Sequence, residues 1–140
     1  MMNPFSKLSI FFVFAFLISI ARAQTPITEI PVHFERGTSS ATVKGTLAGY
    51  ETIDYTLGAR AGQTMHVRMQ TQHLANYFNV LPPDSPTALF VGQIDGNEWT
   101  GVLPEDGTYR VRVYLMRSAA RRNEKADFSI EVSITGTAGN

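Results

Sequence analysis

The chain has no cysteine among its 140 residues. That single absence removes thiol nucleophiles, thiolate metal sites, disulfides and lipid attachment through an N-terminal Cys. It is also short of tryptophan, with one, and it carries no excess of either charge, with 12 basic and 12 acidic residues. A protein that binds nucleic acid through its backbone shows a basic stripe and a high pI; a pI near 6.8 offers neither. No helical period is sustained long enough for a major helix, and there is no internal repeat or low-complexity segment. A domain with none of these supports has to stand on an apolar core inside a sheet.

The first apolar run stands apart from the rest. Met1–Lys7 is a short basic-ended segment, Leu8–Ala21 is almost unbroken apolar, and Ala21-Arg22-Ala23 is a small-x-small cleavage site. This order is that of a secretory signal peptide cleaved after Ala23, and the run is short against the ~20 residues of a spanning helix. Removing Lys7 and Arg22 with it leaves 10 basic against 12 acidic residues. The mature chain is then slightly acidic, so any recognition of an anion has to be local.

Beyond a polar lead-in over 24–30, the apolar period is two nearly everywhere. Val32 and Phe34 share a face, as do Val43, Gly45 and Leu47; Ile53, Tyr55 and Leu57; Met65, Val67 and Met69; Tyr109, Val111, Val113 and Leu115; and Phe128, Ile130, Val132 and Ile134. Alternation of this length predicts half-buried antiparallel strands. Less regular strands are expected over Tyr77–Leu81, Ala88–Gly92 and Trp99–Leu103. Turn chemistry separates them, as at Pro104-Glu105-Asp106-Gly107, which fits a type I turn. The expected fold is an all-β antiparallel sandwich, jelly-roll-like, of about eight strands over 31–135. A small polar tail, 136–140, is expected to fray.

No catalytic constellation assembles. His33 and His66 fall at the polar phase of separate strands and His73 in a loop, where ordinary surface roles suffice, and none has metal-ligand spacing. No serine lies in a G-x-S-x-G elbow. Glu105 and Asp106 sit together in a turn, as solvated acids do. Met65 and Met69 take the core phase of their strand, and Trp99 reads first as core or rim packing. The expectation is a protein that is not an enzyme and uses no cofactor and no metal.

The concentration of arginine is different. Arg117-Ser118-Ala119-Ala120-Arg121-Arg122-Asn123-Glu124-Lys125-Ala126 joins two alternating segments without glycine or proline. Its alanines and arginines favour helix, and Ser118 is placed to cap the N-terminus. One or two helical turns would stand Arg117 beside Arg121, with Lys125 extending the row and Arg122 pointing elsewhere. Two readings are open. In the first the loop is a solvated charge run, with Glu124 pairing Arg121 and Asp127 pairing Arg122 or Lys125. In the second the guanidinium forks, which hold carboxylates or phosphates bidentately as lysine does not, are aimed at an acidic partner. A second loop, Gly45-Thr46-Leu47-Ala48-Gly49-Tyr50-Glu51, carries Tyr50 at a glycine-flanked hairpin, either exposed as an interface anchor or lying flat over the sandwich edge.

The stretches SSATVKGTLAGYETIDYTLGARAGQTM and GVLPEDGTYRVRVYLMRSAARRNEKADFSIEV, with the signal peptide, resemble the bacterial periplasmic inhibitors of goose-type lysozyme. The likeness runs from about Val32 to Ile134, and the arginine loop after the Gly-Thr-Tyr strand is its most specific part. The resemblance implies a sandwich that binds g-type lysozyme through protruding loops, in the periplasm or the medium, without catalysis, nucleic acid or membrane attachment after cleavage. It also implies that the inhibitory tyrosine is Tyr50 and that the two arginines spaced by four are Arg117 and Arg121. The expected lysozyme-binding set is Tyr50, Arg117, Ser118, Arg121 and Arg122. Ser118-Ala119-Ala120 stands where relatives can be more polar. The rival reading is a secreted jelly-roll module that binds glycan, peptidoglycan or another protein through Trp99, Tyr50 and the arginines.

Overall fold

A computed structural model describes residues 25–137 together with Ser19. The expected signal segment and its expected cleavage site, Ser19 aside, and residues 138–140 of the tail lie outside the described residues. The strands are β1 (Ile27–Pro31), β2 (Ser40–Ala48), β3 (Thr52–Ala59), β4 (Thr64–Thr71), β5 (Asn76–Leu81), β6 (Phe90–Val91), β7 (Glu98–Val102), β8 (Gly107–Leu115) and β9 (Lys125–Thr135). Two helical turns interrupt them, α1 (Gly92–Asp95) and α2 (Arg117–Arg121). A five-stranded sheet in the order β1-β3-β8-β5-β6 faces a four-stranded sheet in the order β2-β9-β4-β7. The fold is the sandwich that the alternation predicts.

Period-two patterning does what it must in such a body. Tyr109, Val111 and Val113 of β8 are fully buried, and Met65, Val67, Met69, Phe128, Ile130 and Val132 meet them from the facing sheet. Gly45 occupies an inward position of β2 for a steric reason. It lies opposite Phe128, and a Cβ there would stand 2.6 Å from both the Phe128 ring and the Tyr55 hydroxyl. Those two rings pack edge to face across the space that the glycine leaves, with centroids 6.2 Å apart. Buried Tyr109 donates its hydroxyl to Glu105 O at 2.6 Å and so ties down the Pro104–Gly107 turn.

The structure departs from the sequence reading at both ends of the first strand. Residues 32–35 are not a strand; the pairing segment is Ile27–Pro31, within and just beyond the segment read as lead-in, and it runs parallel to β3. All five of its residues are exposed, so burial gave no period to read, and an edge position accepts the donor-less Pro31. Val32 and Phe34 still pack against the core, which is why their spacing looked strand-like. Likewise only Phe90–Val91 of 88–92 is extended, because Gly92 turns the chain into α1.

One charged pair is built into the outer surface of the larger sheet. Asp54 and Arg112 face each other across β3 and β8, with Arg112 Nε and a terminal guanidinium nitrogen donating to the two carboxylate oxygens at 2.7 and 2.8 Å. Asp54 is 1% exposed, and its hydrogen bonds raise the Arg112 pKa against the opposing effect of burial. Arg112→Ala strands the carboxylate without its partner. The expected cost is ~2–3 kcal/mol, less than the ~3–5 kcal/mol of a fully enclosed pair, because the Arg112 side chain keeps 27% of its surface in solvent. The check is a fall in the urea midpoint at unchanged slope.

Candidate functional site

The connections place the candidate residues. Loops 49–51, 72–75, 92–97 and 116–124 each carry the chain from one sheet to the other, and the strand orders put all four at the same end. Across that end they follow in the order Tyr50 turn, α2, the 72–75 turn, then α1.

The helix α2 forms on the residues expected, but its cap is different. The N-cap is Met116, with no side-chain cap bond, and Ser118 lies inside the helix. Tertiary contacts decide this start. Met116 N–H donates to Ala75 O at 2.8 Å, and its own carbonyl accepts from Ala120 N–H at 2.9 Å. Ala119 and Ala120 are buried, so the helix is seated on the core through them rather than held out on a slim stalk. Its other end is a Schellman stop. Asn123 takes a left-handed φ of 53°, its N–H bonds Ala120 O at 2.9 Å, and Glu124 N–H reaches Ala119 O at 3.2 Å.

Seating the alanines turns the arginines outward. Arg117 and Arg121 are exposed, four residues apart on one face, and neither makes an ion pair among the described residues. The nearby acids are engaged with partners other than these two arginines. Glu124 pairs with Arg122, Nε to Oε2 at 2.6 Å, and Asp127 accepts from the Thr46 hydroxyl at 2.5 Å. Ser118, next to Arg117 in α2, is half-buried.

Tyr50 is exposed to 55%, at a turn in which Glu51 N–H donates to Ala48 O at 3.1 Å. Gly49 makes the turn possible twice over. Its φ is +59°, and a Cβ there would stand 2.6 Å from the Asn123 side-chain oxygen. That close approach lets Gly49 N–H donate to Glu124 O at 2.9 Å. Gly49, Tyr50, Arg112, Tyr114 and Arg117 line one open cleft of about 390 Å³.

Glu124 therefore holds three loops. Its carbonyl takes the Tyr50 turn, one carboxylate oxygen takes Arg122, and the other takes His73 Nε2 at 3.0 Å. The His73 tautomer follows: Nδ1 accepts from Ala75 N–H at 3.1 Å, so Nε2 carries the proton and donates to Glu124. By sequence alone His73 is an ordinary surface residue in a loop. A pair 51 positions apart has no local signal, whereas Asn123 after the basic run was a legible helix stop. Among the described residues no three His, Asp or Glu side chains are placed to hold a metal ion, and no helix is long and apolar enough to cross a membrane. Trp99 packs its ring 6.3 Å from that of Phe90 and is partly buried, which takes it away from a sugar-stacking surface.

Burial raises the Glu124 pKa, but the hydrogen bonds from Arg122 and His73 and the charge of Arg122 outweigh it and hold the carboxyl below its ordinary range. A lowered carboxylate pKa contributes stability that is complete above the unfolded value and is lost as the pH falls through the folded one. Protection of the Asn76 amide, which donates to the His73 carbonyl, is therefore expected to hold at pH 7 and to fall below about 4. Glu124→Ala should show the loss already at pH 7, and Glu124→Gln, the neutral counterpart of the protonated acid, should show much of the same loss at pH 7. Hydrogen exchange at the two pH values measures both.

No protein-family model matches the chain. Its fold is similar to the solved structure of Aeromonas hydrophila PliG, a periplasmic inhibitor of g-type lysozyme, with a TM-score of 0.72 and 43% identity over 78% of this chain and 97% of that one. It is similar also to Salmonella Typhimurium PliG, with a TM-score of 0.63 and 27% identity over 77% and 98%. An inhibitor of g-type lysozyme from Escherichia coli K12 is 29% identical over 107 residues, 75% of this chain and 80% of that protein. With that identity and coverage to the Aeromonas protein, the chain belongs to the PliG family of periplasmic inhibitors of g-type lysozyme, proteins that bind an enzyme and are not enzymes themselves.

Proposed function

We propose that this chain is exported to the periplasm by its first 23 residues and inhibits a g-type lysozyme by placing Arg117 and Arg121 in the substrate cleft, with Tyr50 packed beside them. The observation that carries this reading is the pair of guanidinium groups without acidic partners, next to an exposed tyrosine, on one end of a firmly built sandwich. A glycosidase cleft presents a carboxylic acid to protonate the glycosidic oxygen, with further acidic groups near it. Two planar forks entering such a cleft make charge-assisted, bidentate bonds and occupy the space of the sugar. Salt bridges that exclude water in this way are worth more than surface pairs, because screening no longer reaches them.

The other residues of the expected set have lesser parts. Arg122 is bridged to Glu124 and steadies the loop, and Ser118, half-buried beside Arg117, stands at the edge of the contact. Tyr50 supplies a large, stiff, amphipathic surface at little entropic cost, as interface anchors do.

The test is turbidity loss of bacterial cell walls under g-type, chicken-type and invertebrate-type lysozymes with the mature protein added. Inhibition of the g-type enzyme is expected. Arg117→Ala with Arg121→Ala should weaken it by ~2–5 kcal/mol, with the Tm unchanged because both side chains are exposed. A double variant that inhibits at wild-type potency overturns the mechanism.

A further inference from the structure

Seven large apolar side chains are exposed among the described residues: Ile27, Ile30, Tyr50, Leu74, Leu89, Ile94 and Val102. Single exposed apolar residues are ordinary on any protein, but four of these seven gather at one end. Ile27, which pairs with Thr52 at the start of β3, Tyr50, Leu74 and Ile94 all stand at the end that carries α2. Leu74 and Ile94 are the most open of the seven, at 93% and 79%. The loop order puts them on the opposite side of the arginine helix from Tyr50, so the two free guanidinium groups have apolar side chains on both flanks.

Both side chains are held by firm backbone. Loop 72–75 is fixed by the His73 bond to Glu124, by Asn76 N–H to His73 O at 3.2 Å and by Met116 N–H to Ala75 O at 2.8 Å. The α1 segment is fixed by Gly92 N–H to the Asn79 side chain at 3.3 Å and by Met69 N–H to Asn97 O at 2.9 Å. An apolar group on a preorganised loop costs little entropy to bury on binding.

We infer that Leu74 and Ile94 form a second apolar anchor, across α2 from Tyr50, which docks on the apolar rim of the same lysozyme cleft. This rests on the lysozyme reading above and enlarges its contact from two loops to four. The occupant follows from continuity: a protein that seats Tyr50 and the arginines on this end meets Leu74 next in the row. The arrangement of charged centre and apolar flanks also matches how binding energy concentrates, with water excluded around central polar anchors.

The experiment is calorimetric binding of g-type lysozyme by the wild type, by Leu74→Ala with Ile94→Ala, and by Leu74→Asp, with Arg117→Ala/Arg121→Ala in parallel. Val102→Asp is the control, because Val102 is 69% exposed but pairs with Thr64 at the opposite end. The double alanine variant should bind about tenfold more weakly, equivalent to about 1.4 kcal/mol. Leu74→Asp should lose more, and Val102→Asp should bind as the wild type does. Wild-type affinity in both Leu74 variants, with affinity still lost on removing the arginines, overturns the second anchor and leaves the inhibitor reading standing. A wild-type protein that binds no g-type lysozyme overturns both.

Discussion

Each sheet of this protein buries one face against the other, and that requirement governs where its chemistry can be. With every long strand apolar on one side only, the chain closes its core by changing sheets repeatedly, and four of its crossings come at one end. The crossings are short, so each loop is drawn tight over the core, and what it carries outward is fixed by what it must bury. In α2 the buried pair is Ala119 and Ala120; helical geometry then sends Arg117 and Arg121 out together. The position of the arginines is a consequence of sandwich packing, not of any interaction that the guanidinium groups make for themselves.

The distribution of charge partners makes the same separation. Arg112 is locked on buried Asp54, Arg110 donates to the carbonyl oxygens of Pro82 and Ser85 at 3.2 and 2.6 Å, and Arg122 is bridged to Glu124. Each of these stiffens the body or its loops. Arg117 and Arg121 have no such use, and keeping two exposed like charges four apart on a helix costs only ~0.2–0.5 kcal/mol. A small standing cost of that kind is readily offset by an outside acid that supplies the missing partners under desolvated conditions.

The sequence made the body legible because burial writes itself as a period of two. It also made the helical turn legible, since a ten-residue connection without glycine or proline has few alternatives. It hid β1, whose exposed residues carry no period, and it misplaced the cap of α2, because Met116 is held by Ala75 from a different strand pair. Sequence spacing pairs Glu124 with Arg121 and Asp127 with Arg122 or Lys125; instead the Schellman stop at Asn123 turns Glu124 back toward Arg122, and Asp127 accepts from Thr46. His73 and Glu124 were invisible as a pair, being brought together only by the topology. Nothing in the sequence marks Leu74 or Ile94, since exposure cannot be read from a single apolar letter in a loop.

A binding end made of loops faces a difficulty that helices and strands avoid, for loops are where conformational freedom concentrates. Without disulfides, this chain ties three of its loops together at one residue, Glu124, whose main-chain and side-chain oxygens reach the Tyr50 turn, α2 and the 72–75 turn at once. The close seat of Gly49 against Asn123 closes the gap between the first two, and burial of the alanines fixes the middle. The entropy that association would otherwise cost is in large part removed during folding. Because the three loops share one hub, displacement of any of them should be felt by the others. The tyrosine, the arginines and the apolar tip beyond them then act as one rigid surface, and their energies should couple in double-mutant cycles rather than add.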